Sequence, residues 1–242
     1  MMMRLLLLML FFLPFQAWGL DGNAILSQVD KNLAPDSYEM YRKLINQEPD
    51  GSRKEFVLYT AKKGRTNMVA LFLSPASDLG RTTLRIGDNM WLYIPKVGKP
   101  LRITSLQSVV GGIFNNSDLM RLEFSTEYEV QAVTENDGEY VLDLKAKTKA
   151  VAYDRLKMHV NRDVLLPTVI EAYAASGLLV KTLRYKKIKD YGNGVVRPSV
   201  LETESPLYKG YKAVMLFANI LPRSFSDEVF SLNYMPRVQE LR

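Results

Sequence analysis

The chain contains no cysteine and a single histidine in 242 residues. The first absence excludes disulfides, a thiolate nucleophile, cysteine-containing metal sites and a lipid-modified cysteine anchor. The second leaves hydrolytic or transfer chemistry one candidate base, His159, and makes any transition-metal site depend almost wholly on carboxylates. His159 shares one side of a strand pattern with Lys157 and Asn161, opposite Leu156, Met158 and Val160, so it is expected to face solvent. Glu127, Glu129, Asp137 and Glu139 flank a turn in the manner of solvated strand ends. A glycine-rich phosphate loop, a nucleophile elbow and a metal-ligand motif are also missing. The chain therefore reads as a non-enzyme with no catalytic residue, metal or cofactor.

Long apolar runs are equally scarce. The one present follows Arg4 and reads LLLLMLFFLPF, leading into Ala17, Trp18 and Gly19. It is shorter than the roughly 20 apolar residues needed to span a bilayer, and small residues stand where a signal peptidase cuts. The expectation is a secretory signal peptide over 1–19, cleaved after Gly19, and one soluble domain over 20–242. The formal charge of +6, which becomes +5 without Arg4, is spread along the chain and offers no focused patch for nucleic acid.

What the chain does have is strand pattern. The strongest local signal is TTLRIGDNMWLYIP at 82–95, two short strands folded across a three-residue turn, Gly87-Asp88-Asn89. Leu84 and Ile86 alternate with Thr83 and Arg85; Met90, Leu92 and Ile94 alternate with Trp91 and Tyr93. The second strand is apolar on both faces, so something must cover each of them. The candidates are a helical arm before Glu48 and a loop after Thr104, with a ligand between. Residues 23–45 read as helix: Ile25, Val29 and Leu33 form one stripe, and after a break at Pro35 come Tyr38, Tyr41, Leu44 and Ile45.

From Phe56 the period is two, with a polar turn at 62–67 and strands resuming at 68–74 and 101–104. Residues 105–124 carry Val109, Val110, Ile113, Phe114, Leu119 and Met120 but are broken by Gly111-Gly112 and by Asn115-Asn116-Ser117-Asp118. They read either as a long functional loop or as two short core helices. Meander-like strands follow to residue 220, and a tail with Ser226-Asp227-Glu228 could cap a last helical turn. The count is ten or eleven strands, one helical arm and one apolar insertion. Such a sheet is short of covering layers, so its concave face could enclose an apolar ligand.

The stretch LRIGDNMWLYIP at 84–95, its sequel Leu101-Arg102-Ile103, and GLLVKTLRY at 177–185 resemble the bacterial periplasmic lipoprotein-carrier superfamily of LolA and LolB. The resemblance is to its outer membrane lipoprotein-sorting protein branch in particular, and covers nearly the whole mature chain. It implies a mainly β fold, an incomplete, half-open antiparallel barrel with a helical lid, and an apolar cavity for acyl chains. One departure concerns the lid. Where the archetypal carrier has an Arg before the Pro that ends the strand aligning with 68–74, an Arg that helps latch the lid, this chain has Ser74 before Pro75. A second is the lack of an aromatic among residues 76–80, where the archetype places one in a loop contacting its partners.

The expected cavity residues are Phe72, Leu84, Ile86, Met90, Trp91, Leu92, Tyr93, Ile113 and Phe114, with the inward face of the 90–93 strand left open. Lys181, Arg184 and Lys186, in the one basic run, are candidates for docking an acidic partner; a solvated strand face is the plainer reading. The expected function is that of a monomeric periplasmic carrier. It moves lipoprotein acyl chains or another lipid toward the outer membrane, with an inner-membrane transporter as donor and an outer-membrane acceptor as recipient. The alternative is a lipid-sensing or scaffolding periplasmic protein that binds a membrane partner without transporting cargo. Nucleic acid is not expected as a partner.

Overall fold

Alternation with a period of two dominates the computed structural model, which describes residues 21–242. The signal-peptide reading of 1–19 lies outside the described residues. Thirteen strands follow one helix, α1 (Gly22–Leu33). The first six are β1 (Ser37–Gln47), β2 (Arg53–Lys63), β3 (Asn67–Ser74), β4 (Thr82–Ile86), β5 (Asn89–Tyr93) and β6 (Pro100–Ile103). Two short helical turns, α2 (Asn116–Leu119) and α3 (Phe124–Glu127), separate these from the rest. The second set is β7 (Tyr128–Asn136), β8 (Glu139–Ala146), β9 (Arg155–Asn161), β10 (Leu166–Tyr173), β11 (Leu179–Asp190), β12 (Val196–Glu204) and β13 (Lys212–Pro222).

All thirteen belong to one antiparallel sheet of order β6-β5-β4-β3-β2-β1-β13-β12-β11-β10-β9-β8-β7. Every adjacent pair in the sheet consists of consecutive strands except β1 and β13, where Leu44 sits opposite Met215 and joins the two halves. No strand pairs β6 with β7, so the sheet is a half-open barrel. Its curvature follows from its packing. Six strand spacings of about 4.8 Å separate β4 from β11, roughly 29 Å along a flat sheet. Yet Arg85 of β4 reaches the Met120 carbonyl at 3.0 Å and Lys181 of β11 reaches Asp118 at 2.8 Å, two residues away in the chain. The sheet is therefore curved around its interior.

The helical reading of 23–45 holds for its first half only. Asp21 caps α1, its carboxylate accepting from the Asn23 and Ala24 amides at 3.0 and 3.2 Å, and Leu26 and Val29 are buried. Beyond Pro35 the chain is strand β1, with Tyr38, Met40, Arg42, Leu44 and Asn46 buried on one face. Two polar residues at inward positions break the apolar alternation, which is why Tyr38, Tyr41, Leu44 and Ile45 imitate a helical stripe. The expected polar turn at 62–67 is shorter for the same reason. Lys62 is an inward, buried member of β2, and the turn is 64–66. The 86–89 hairpin also closes by a two-residue turn, since Ile86 pairs with Asn89 and Gly87 takes a φ of +55° that favours glycine.

The outer face of β2, β3 and β4 is covered by the last twenty residues. Two 3-10 turns, Asp227–Phe230 and Met235–Leu241, lay Phe225, Val229, Phe230, Met235 and Val238 over Tyr59, Ala61, Val69, Leu71 and Leu84. Phe225 and Phe230 meet edge to face at 6.1 Å. Phe230→Ala should therefore lower unfolding stability by about 3 kcal/mol in urea titration. A loss under about 0.5 kcal/mol would show that the tail does not bear on the sheet.

Candidate ligand-binding site

The two faces of the 82–93 hairpin have different covers. On β5, Met90 joins the interior cluster, while Trp91 and Tyr93 pack outward beneath the C-terminal tail. Leu92 is half-buried and by alternation lies on Met90's face. On β4 the inward residues are Thr83 and Arg85; Leu84 and Ile86 lie in the outer cluster. Of the residues expected to line a cavity, Phe72, Met90, Ile113 and Phe114 are interior. Leu84, Ile86, Trp91 and Tyr93 are not, a correction that follows from the tail covering the face that sequence alone left open.

The interior is plugged by residues 105–127. Val109, Ile113, Phe114, Leu119, Met120, Leu122 and Phe124 are all buried in the interior cluster, although α2 and α3 have only four residues each. So short a segment cannot hold its place by helix formation. Inward side chains of the sheet hold it instead. Arg42 Nη1 of β1 donates to the Leu119 carbonyl at 2.6 Å. Arg85 Nη1 of β4 donates to the Met120 carbonyl at 3.0 Å and lies 2.5 Å from Glu127 Oε1. Lys181 Nζ of β11 donates to the Ile113 carbonyl at 2.6 Å and to Asp118 Oδ2 at 2.8 Å.

Asp118 also closes a capping box with Asn115 and accepts from the Tyr153 hydroxyl at 3.0 Å. Burial, reinforced by the Asp118 charge, holds the Tyr153 hydroxyl well above its ordinary pKa and keeps it a donor. The plug is thus fastened by cations of β1, β4 and β11, while Ser74 at the end of β3 is uncharged.

Lys181 is 3% exposed and so is no surface docking residue. Its neighbours Leu183 and Tyr185 point the same way, and the charge is held inside by Asp118. Arg184 and Lys186 are on the outer face, paired with Glu204 at 2.8 Å and Glu202 at 2.6 Å. Those acids on β12 balance the basic run. His159 is half-buried, its Nδ1 3.3 Å from Glu139 Oε2. Among the described residues no three His, Asp or Glu side chains are grouped to hold a metal ion.

Between the plug and the α1 end of the barrel lies a void of about 80 Å³. Leu33, Met40, Leu119, Leu201, Met215 and Phe217 line it together with Arg42, Arg197, Lys62, Asp30 and Glu123. Burial pulls the Arg42 guanidinium down to about 10, and the positive charge of Arg197 adds to that. Burial likewise lowers Arg197 and Lys62, and raises Asp30. Sequence reasoning missed Arg42, Arg85, Asp118, Tyr153 and Arg197. The available signal was a cation flanked at two-residue spacing by apolar groups, as in Met40-Arg42-Leu44 and Lys181-Leu183-Tyr185.

A single wrapped sheet with a separately held plug defines the class of half-open, LolA-like β-barrel folds. A family model described as "Uncharacterized protein"-like matches residues 64–237, and the chain belongs to that family; its fold is LolA-like. A LolA superfamily protein from Nitrosomonas europaea is similar at 27% identity and a TM-score of 0.79, over 87% of this chain and 97% of that one. A DUF1329 family protein from Desulfovibrio piger aligns at 21% identity and a TM-score of 0.76, over 88% and 97%. An outer membrane lipoprotein-sorting protein domain from Vibrio parahaemolyticus aligns at 18% and 0.74, over 89% and 98%. The last two likenesses concern the fold. No curated protein matches the sequence.

The plug's attachment can be measured. Lys181→Ala leaves Asp118 buried with its closest cation gone and should cost about 3–5 kcal/mol in urea unfolding, with Lys181→Met/Asp118→Asn recovering a large part. If the double variant is no more stable than the single one, the pair is not what seats the plug.

Proposed function

We propose that this protein is a periplasmic carrier that takes up the acyl chains of a lipoprotein or another lipid in the barrel interior. The 105–127 segment moves aside to admit them. The observation that carries this reading is the mode of attachment of that segment. Its apolar side chains fill the concave face, yet it is joined to the rest of the protein by discrete side-chain bonds: Arg42, Arg85 and Lys181 hold 113–120, Tyr153 holds Asn115 and Asp118, and Asp30, Lys62 and Arg65 hold 123–125. An element attached in this way can leave as a unit and expose a continuous apolar groove.

The 80 Å³ void agrees with this order of events. It holds the equivalent of two or three waters at about 30 Å³ each, far less than an acyl chain needs, so loading requires the plug's side chains to withdraw. Each buried methylene stabilises a bound chain by roughly 0.8 kcal/mol. Eight of them give about 6 kcal/mol before ordering costs, so affinity is readily obtained and release is the harder step. The chain carries no nucleotide-binding motif, and transfer is accordingly driven by partners: an inner-membrane transporter as donor and an outer-membrane acceptor. The likeness to carriers of the LolA superfamily supports the same reading.

The plug can be locked. Gly112 lies flush against Asn46 of β1, and a Cβ there would overlap the Asn46 carboxamide. With the Asn46 Cγ 2.5 Å from that Cβ, the two Cβ positions lie no more than about 4 Å apart, close enough to be bridged by a disulfide. In a chain with no native cysteine, oxidised Asn46→Cys/Gly112→Cys should lose uptake of a fluorescent acyl probe and regain it on reduction. Equal uptake in both states, together with no lipid on protein gently extracted from producing cells, would sink the carrier reading. A scaffold that binds a membrane partner would keep that partner in the locked state.

A further inference from the structure

The ionic groups around the void do not balance. Lys62 lies 3.4 Å and Arg65 2.7 Å from the Glu123 carboxylate. Lys181 and Arg121 share Asp118, and Arg121 also approaches Glu127 at 3.7 Å. Asp30 spends its two oxygens on the Phe124 and Ser125 amides, each at 2.8 Å. Arg42 and Arg197 are left over. They are 4% and 6% exposed, and among the described residues neither has a carboxylate within the 4.0 Å of an ion pair.

Their hydrogen bonds go to neutral oxygens. Arg42 donates to Leu119 O and to Thr60 Oγ1. Arg197 donates to Leu33 O at 2.6 Å and to Pro198 O at 3.4 Å, and its guanidinium stacks 4.4 Å over the Phe217 ring. Among the described residues its Nη2 has no acceptor. Neutral side chains could make the carbonyl contacts without the cost of burying an uncompensated charge. The carboxylates of this partly apolar cavity, Asp30, Asp118 and Glu123, are engaged by other partners, so its two guanidiniums gain from a shared counter-charge. Arg offers a planar fork that fits carboxylate or phosphate oxygens.

We propose that this cavity is an anion subsite in which Arg42 and Arg197 hold the carboxylate or phosphate head of a long-chain amphiphile. The inference rests on the carrier reading and specifies its ligand. The 80 Å³ void is of head-group size. Leu201 and Met215 beside it continue into the interior that the plug vacates, which gives the attached chain its path. Burial and mutual repulsion pull Arg42 down to about 10, still charged at neutral pH, and an anion would oppose both effects.

The test compares ligands of one chain length by calorimetric titration of the delipidated full-length mature protein: palmitate, hexadecyl phosphate, hexadecanol and inorganic phosphate. The expected result is at least tenfold tighter binding of palmitate or hexadecyl phosphate than of hexadecanol. The gap should close in Arg42→Gln/Arg197→Gln, and whichever anion binds tighter identifies the head group. Where that double variant fails to fold by circular dichroism, the wild-type comparison decides alone. Equal affinity for the anionic and neutral amphiphiles overturns the anion subsite and leaves the carrier intact. Failure of all three amphiphiles to bind overturns both, and a preference that survives the double substitution removes Arg42 and Arg197 from the role. Tight binding of inorganic phosphate alone would mark a free-anion site and overturn the amphiphile.

Discussion

Buried cations donating to backbone carbonyls hold this molecule in the state described. A sheet of thirteen strands wrapped on one side creates more concave apolar surface than its own side chains can cover, and the open edge between β6 and β7 prevents closure. The surface is filled by a segment with almost no regular structure. Such a segment must be fastened from outside, since its four-residue helices contribute little on their own. Arg42, Arg85 and Lys181 supply the fastening, and each is an inward residue on a different strand. Buried charges of this kind add little net stability compared with well-packed apolar groups. What they add is a small number of discrete bonds at defined points, so that the closed state is specific and separable.

The outer face follows a different logic. Phe225, Phe230 and Met235 cover the convex side of β2 to β4 through apolar contact, with ion pairs such as Lys63–Asp227 at 2.7 Å lying at its exposed margin. An apolar cover without an interior polar fastening has no discrete release point. The same hairpin thus carries an apolar cover on the Trp91 side and one fastened by buried polar bonds on the Met90 side. A strand apolar on both faces was a sound sign that two covers exist, and it carried no information on which was which.

How much of this was legible in the sequence depended on whether inward positions were apolar. The strands from β8 to β13, β3, the 82–93 hairpin and the single antiparallel architecture could be read because alternation was clean or the turns were marked by glycine, as at Asp137-Gly138. β1 could not, because Arg42 and Asn46 occupy inward positions and scramble the period. Lys181 was misread for the same reason: beside Arg184 and Lys186 it looked like part of a solvated run, whereas it faces its own Asp118 sixty-three residues away. Polar residues on the inward face are both what hid the pattern and what builds the site. Local sequence cannot show which distant carboxylate or carbonyl meets them, since that depends on the wrapping of the whole sheet.

On the carrier reading proposed above, the filled interior also bears on how the cargo is let go. Were the cavity empty when unloaded, a bound chain would gain roughly 0.8 kcal/mol per methylene with nothing to offset it, and release would face the whole of that gain. Here the unloaded interior is occupied by Ile113, Phe114, Leu119 and Met120. Loading exchanges their burial for that of the cargo, and unloading returns it together with the bonds from Arg42, Arg85 and Lys181. The net free energy of loading is then a difference of two similar terms, small enough for a partner surface to tip in either direction. A self-filling interior is a physical means of making a hydrophobic site reversible, and the polar fastening sets where the balance lies.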